Sequence, residues 1–174
     1  MKFSKKSLSW AGFILLSSFF MRQVLNMLTE TIGRKGVGMF IFSLYGSSGI
    51  FFTAKAVLRK ISLWKIAALC LILFFGYRYA AGMKILEERI HLIKYGILGW
   101  LVMRDNSERR KFRIGFFVSL VFCSGIASLD EMIQWFLPYR VGDLRDVGFG
   151  FLGAMLGSLL FLILDAGGTE LALH

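Results

Sequence analysis

Proline, cysteine and catalytic signature motifs are scarce in this 174-residue chain. Its one proline, Pro138, is expected to stop a helix where the chain must turn. Its two cysteines, Cys70 and Cys123, lie in apolar runs with no second Cys or His at ligand spacing, so we interpret them as small buried hydrophobic residues. The motifs G-x-S-x-G, H-E-x-x-H, C-x-x-C and the P-loop are absent, which argues against serine, cysteine and nucleotide chemistry.

Acidic residues are also few, because 11 Asp and Glu stand against 21 Lys and Arg, for a formal net charge of +10. The basic residues fall in the gaps between apolar runs, where orientation signals and contacts to anionic lipid headgroups are expected. The positive charge therefore indicates a membrane surface, and no nucleic-acid partner is predicted.

Hydrophobic residues are what the chain has in excess. They make up 56% of it, aromatic residues make up 16%, and the mean hydropathy is +0.65. A water-soluble domain is usually about one half apolar, so this composition predicts an integral membrane protein. At about 20 residues a crossing, the length accommodates roughly five to seven crossings and no sizeable soluble domain. We predict an all-α fold, in which residues 1–174 form a single polytopic transmembrane helical bundle with about six membrane-spanning helices.

Six apolar runs define the predicted crossings. The first is interpreted as an uncleaved signal, because a basic start and an apolar middle are followed by no small-residue cleavage pattern. The fourth is short for a full span, so its helix is expected to start earlier and to bury its polar first turns in the bundle. The approximate crossings are residues 8–28, 37–56, 61–80, 90–103, 114–137 and 147–164.

The loop over residues 104–113 carries the strongest orientation signal. It holds five basic residues against Asp105 and Glu108, and such loops stay in the cytoplasm. Counting crossings in both directions places the N- and C-termini in the cytoplasm as well. The polar start of the fourth helix and the connection between the last two helices then face outward.

Two polar segments lie at apolar junctions, and helical spacing sorts their residues into shared faces. The first segment has i, i+3, i+7 spacing, while acids and an amide of the second lie three and four residues apart. Helix rise places both segments just below the outer boundary of the hydrocarbon core, so the two could share one pocket. The candidate residues are Glu88, His91, Tyr95, Asp130, Glu131, Gln134, Arg140, Asp143 and Asp146.

These residue types permit two kinds of chemistry and one structural alternative. Carboxylates with His91 could hold a divalent cation, or they could divide into a general acid and a general base. Arg140 offers a planar fork for a phosphate or a carboxylate. Alternatively, Arg140 or Arg145 pairs with the acids only to fix the helices, and Asp143 or Asp146 only caps the last helix.

The motifs resemble those of a known family. The pattern E-R-x-H-x-x-x-Y-x-x-L-G occupies residues 88–99, and D-E-x-x-Q-x-F-x-P-x-R-x-x-D-x-x-D-V, followed by L-G-x-x-x-G, occupies 130–157. Together they resemble the VanZ-like family of small bacterial membrane proteins, over the region 87–164. Two departures stand out: Gly150 replaces an Asn or Asp that is frequent in the family, and Leu92 replaces a frequent aromatic residue. The family name implies resistance to the lipoglycopeptide teicoplanin and no defined reaction.

The resemblance implies a multi-pass protein of the bacterial cell (inner) membrane, with a role in the envelope. We predict an outward-facing polar pocket that binds or processes an anionic or glycan-linked envelope lipid, so the predicted partners are membrane lipids or a lipid-linked envelope precursor. His91, Asp130, Glu131 and Asp146 are the candidate catalytic residues; Glu88, Tyr95, Gln134, Arg140 and Asp143 are the candidate substrate-binding residues.

The sequence leaves the functional class of the protein open. The sequence does not decide whether the protein is an enzyme, and it names no metal, cofactor or oligomeric state. The alternative function is a non-catalytic binding or assembly protein whose polar residues only fix helix packing. A transporter is disfavoured, because so short a chain contains no pair of matching halves with broken helices.

Overall fold

A computed structural model of the chain describes residues 1–83, 85–107, 112–138 and 142–165, and these ranges hold six helices and no strand. The all-α prediction is therefore confirmed. The helices are α1 (Lys5–Ser17), α2 (Met21–Leu58), α3 (Leu63–Gly82), α4 (Leu86–Asn106), α5 (Phe112–Phe136) and α6 (Leu144–Asp165).

Four of the six helices are long and apolar enough to cross a membrane, namely α2, α3, α5 and α6. Helix α1 has 13 residues, which is short of a full span. Helix α4 has 21 residues but a polar first half. The predicted number of about six spans is therefore supported only approximately.

The boundaries of the first predicted crossing are wrong. The predicted crossing 8–28 is interrupted, because α1 ends at Ser17 and a tight turn precedes Met21. In this turn the backbone N–H of Ser18 donates to the carbonyl of Leu15 at 3.3 Å, three residues back instead of four. Helix α2 covers the predicted connection at 29–36, but Gly33 has a non-helical backbone there (φ 73°, ψ 157°), so α2 consists of two helical segments joined at a kink.

Helix α4 begins at Leu86 and lies in the interior of the bundle, between α5 and α6, with α1 and α2 packed alongside. Its first half buries Glu88, His91, Lys94 and Tyr95. The prediction that this helix starts early and buries its polar turns in the bundle is confirmed. A helix too polar to face lipid is thus enclosed by other helices.

Glycines allow α4 and α6 to come into backbone contact. A Cβ atom added at Gly157 would lie 1.9 Å from the carbonyl oxygen of Gly96, and one added at Gly99 would lie 2.4 Å from that of Ala154. Small residues permit such an approach between membrane helices, where lipid supplies no hydrophobic driving force. This contact holds α4 and α6 together along the bundle.

The close contact between α4 and α6 predicts that a Gly→Ala substitution destabilises the protein at the contact but not at an open position. We expect Gly157→Ala to lower the free energy of unfolding by about 1–3 kcal/mol or more, because the added atom collides with backbone. Gly125→Ala in α5 is the matched control, since a Cβ there meets no atom within 4 Å. Thermal unfolding of both variants in one detergent measures the difference, and equal stability would contradict the close contact.

Candidate functional site

Polar side chains from four parts of the chain meet at one end of the bundle. They come from the first turns of α4, the end of α5, the start of α6 and the turn between α1 and α2. We call this group the polar cluster; it consists of Ser18, His91, Lys94, Tyr95, Asp130, Glu131, Gln134 and Asp146.

Asp130 is the centre of the polar cluster and is 0% exposed. Its carboxylate accepts hydrogen bonds from the Tyr95 hydroxyl at 3.0 Å, from Gln134 Nε2 at 3.2 Å and from the Ser18 hydroxyl. The Lys94 ammonium lies 3.6 Å from Asp130 Oδ2. A buried carboxylate is tolerated only when it is paired and hydrogen-bonded, and Asp130 meets both conditions.

Lys94 and Ser18 were missed by sequence reasoning. Lys94 is buried and donates to Ser17 Oγ at 3.2 Å, in addition to its ion pair with Asp130. Its position three residues after His91 was a usable signal, because such residues share a helix face. No comparable signal existed for Ser18, which lies 112 residues from Asp130 in the chain.

His91 is 3% exposed, and its two ring nitrogens have different surroundings. Nδ1 lies 2.9 Å from the carbonyl oxygen of Glu87. Because a carbonyl only accepts, Nδ1 is assigned as the donor, and Nε2 of the neutral ring is an acceptor. Nε2 lies 3.4 Å from Asp130 Oδ2 and 3.9 Å from Glu131 Oε1, yet it has no hydrogen-bond partner in the described ranges.

Glu131 is held at one oxygen and unpartnered at the other. Its Oε2 accepts the backbone N–H of Asp143 at 2.8 Å, whereas the buried Oε1 has no hydrogen-bond partner within the described part of the chain. His91, Glu131 and Asp146 each offer one ligand atom, and the three atoms lie within 4.8 Å of one another. One imidazole nitrogen and two carboxylates form a donor set that suits a divalent metal ion.

Asp143 and Arg145 form a separate pair at the start of α6. The Asp143 carboxylate accepts the backbone N–H of Arg145 at 2.9 Å, as a helix cap does, and it lies 2.6 Å from the Arg145 guanidinium. The hydrogen bonds from Arg145 hold the pKa of Asp143 below its usual range. Arg145 therefore pairs with Asp143 and also interacts electrostatically with Glu88 and Asp146, whereas Lys94 is the cation that pairs with Asp130.

Two other candidates complete the placement of the predicted site residues. Glu88 is buried in the first turns of α4. Arg140 lies outside the described residues. The structure thus brings together His91, Tyr95, Asp130, Glu131, Gln134 and Asp146, and the catalytic and binding roles assigned to all these residues stay predictions.

The two departures from the family pattern have local explanations. A Cβ atom at Gly150 would lie 2.8 Å from Ala127 Cβ and 3.2 Å from the Tyr95 ring, so glycine lets Tyr95 pack against α6. Leu92 is buried and lines an apolar cleft between α2, α3, α4 and α6. A larger side chain at position 150 would therefore require local rearrangement, whereas Leu92 faces the space of the cleft.

The apolar cleft has a volume of about 450 Å³. Along α4 it is lined by Leu92, Ile93, Gly96, Ile97 and Trp100, so it begins at the residue that follows His91. Tyr45 lines the same end and donates to the carbonyl of Arg89 at 2.8 Å, while Lys55 lies over the Trp100 ring at 5.4 Å.

The apolar helices, the enclosed polar helix and the buried polar cluster together define a helical integral membrane protein. The chain matches the family described as VanZ/LLP1 over residues 6–165, and it therefore belongs to this family. No curated protein and no solved structure matches the chain. The family match extends over the first three helices, beyond the region 87–164 that the motifs indicate.

The ion pair between Asp130 and Lys94 predicts that removing one of its two charges destabilises the protein more than removing both. We expect Asp130→Asn to destabilise the protein by about 3–5 kcal/mol, because it leaves the buried Lys94 without its carboxylate. Adding Lys94→Met should recover part of that loss. The control Asp143→Asn alters a largely exposed pair and should change the stability far less than Asp130→Asn does. Thermal unfolding in detergent provides the comparison, and a double variant no more stable than Asp130→Asn would rule out the pairing.

Proposed function

We propose that this protein binds, and in an enzymatic version processes, an anionic or glycan-linked lipid of the bacterial cell envelope. The lipid chain would lie in the apolar cleft and the headgroup at the polar cluster. The observation that supports this most directly is that cleft and cluster share α4, where Leu92 lines the cleft and its neighbour His91 belongs to the cluster. Apolar pockets with a few convergent polar groups are the usual form of ligand sites.

Arg89 supports an anionic headgroup at this end of the cleft. It lies in the chain between Glu88 and His91, and its guanidinium packs 4.7 Å from the Phe42 ring centroid. One terminal nitrogen donates to the carbonyl of Met83 at 2.6 Å, whereas Nε is buried with no hydrogen-bond partner in the described ranges. A guanidinium with spare donors suits a phosphate or a carboxylate. Arg140, the clamp expected from the sequence, stays a second candidate.

In the enzymatic version the reacting groups would be His91, Glu131 and Asp146. His91 Nε2 and Glu131 Oε1 are buried without hydrogen-bond partners, so they could exchange a proton with a bound headgroup. Asp130 would act by orientation, because its oxygens already accept from three side chains. The non-catalytic alternative is favoured by that same Asp130 network, which would lock the helices without any reaction.

We also propose the orientation that gives the cluster access to envelope lipids. The protein would lie in the inner membrane with both termini in the cytoplasm and the polar cluster at the outer face. The basic loop at 104–113 supports this orientation. The family name adds a link to resistance against teicoplanin-type glycopeptides.

Lipid occupancy of the cleft gives a first test. Ile97→Trp places a larger ring in the cleft, and we expect it to reduce co-purified anionic lipid about tenfold, equivalent to about 1.4 kcal/mol of binding free energy. Val121→Trp is the matched control, since Val121 is an exposed apolar residue on α5 that lines neither cleft nor cluster. Native mass spectrometry of the detergent-purified proteins measures bound lipid. Equal lipid content in both variants would argue against the cleft as the binding site.

Antibiotic susceptibility gives a second test, directed at the headgroup end. Expression of the wild-type protein in a susceptible bacterium is expected to raise the inhibitory concentration of teicoplanin, and Glu131→Gln should remove that increase. The amide keeps the size of the carboxylate but loses its charge. Membrane abundance of each protein, measured by immunoblot, controls for expression. Full protection by an abundant Glu131→Gln variant would refute a role for this carboxylate.

A further inference from the structure

We propose that the polar cluster contains a binding site for one divalent transition-metal ion, formed by His91 Nε2 and the carboxylates of Glu131 and Asp146. The three ligand atoms lie within 4.8 Å of one another and come from α4, α5 and α6. The site goes beyond the lipid proposal and does not require a bound lipid.

The orientation of His91 is the first argument for this site. The Glu87 carbonyl accepts from Nδ1 at 2.9 Å, which fixes the tautomer and turns the Nε2 lone pair toward the carboxylates. Metal-binding histidines are held in this way, with one nitrogen on a backbone carbonyl and the other on the metal. Glu131 is held in a similar way, because the Asp143 backbone N–H binds Oε2 and leaves Oε1 toward His91.

The unsatisfied atoms are the second argument. A lone pair on His91 Nε2 faces carboxylate oxygens at 3.4 Å and 3.9 Å, so acceptors face acceptors until a cation or a proton lies between them. A proton on Nε2 could serve at most one neighbouring oxygen, and neither neighbour has hydrogen-bond geometry to it. A metal ion would satisfy Nε2 and Glu131 Oε1 at once.

The charge balance is the third argument. The buried charged side chains of the described residues are Glu88, Asp130 and Glu131 against the single ammonium of Lys94. Lys94 pairs with Asp130, whereas Glu131 lies beside His91. An excess of buried carboxylates attracts a dication more strongly than a monovalent one.

The donor set selects the class of metal. An imidazole nitrogen favours Zn²⁺, Mn²⁺ or Fe²⁺ over Mg²⁺ and Ca²⁺, which take oxygen ligands. His91 Nε2 and Glu131 Oε1 are 3.9 Å apart, so a small inward shift would bring them to bonding distance of about 2.0–2.2 Å from one ion. Three protein ligands leave a coordination position for a water molecule or a phosphate oxygen.

Metal titration of the full-length protein tests the inference. The detergent-purified protein is stripped with chelator and titrated with ZnCl₂ alone and MnCl₂ alone. We expect one ion per chain, and we expect His91→Ala, Glu131→Gln and Asp146→Asn each to weaken binding at least about tenfold. Glu87→Gln is the matched control, because it removes a carboxylate one turn from His91 that offers no ligand atom. It should bind as the wild type does.

A spectroscopic readout covers variants that fold poorly. Co²⁺ bound to the wild-type protein should show visible absorption bands of a nitrogen-ligated site, which Zn²⁺ should remove by competition. The chain has only two histidines, so loss of these bands in His91→Ala assigns the nitrogen ligand. Absence of Zn²⁺ and Mn²⁺ binding in folded wild-type protein, or wild-type affinity in folded His91→Ala, would overturn the inference. Ile97→Trp should bind Zn²⁺ normally, which separates failure of the lipid proposal from failure of this one.

Discussion

The fold depends on one requirement, that the buried carboxylate of Asp130 be neutralised and hydrogen-bonded inside a bundle of apolar helices. Water is excluded at this position, so the partners must come from the protein. Ser18 from the turn after α1, Lys94 and Tyr95 from α4, and Gln134 from α5 meet this need. Three separate parts of the chain are thereby fixed at one depth.

The hydrogen-bond partners of Asp130 leave two neighbouring polar atoms without partners of their own in the described ranges. His91 Nε2 and Glu131 Oε1 lie beside a carboxylate whose partners are already in place, and each remains buried without a hydrogen bond in the described part of the chain. Such local exceptions to polar satisfaction are expected at functional sites, where the remainder of the fold compensates for them. This contrast between one saturated and two unsaturated groups is the basis for the different roles that we propose for Asp130 and for His91 and Glu131.

Much of the fold class and of the cluster could be predicted from the sequence, because both follow from short-range periodicity. Apolar runs indicated the helices, and spacing on α4 and α5 indicated which polar residues share a face. The break after Ser17 could not be predicted this way. It depends on turn hydrogen bonds and on a contact between Ser18 and Asp130 across 112 residues. At Gly33, by contrast, the backbone is non-helical and α2 is kinked within the connection predicted at 29–36.

The position of α4 explains why the polar residues lie where they do. An isolated helix with Glu87, Glu88, Arg89, His91 and Lys94 in its first turns would be costly in lipid. Glycine contacts with α6 bring the two backbones together, and α5 covers the face that carries His91 and Tyr95. Because other helices supply the apolar surface, α4 can carry ionisable groups in its first turns and line an apolar cleft from Leu92 to Trp100. A polar cluster next to an apolar cleft therefore follows from enclosing one polar helix within apolar ones.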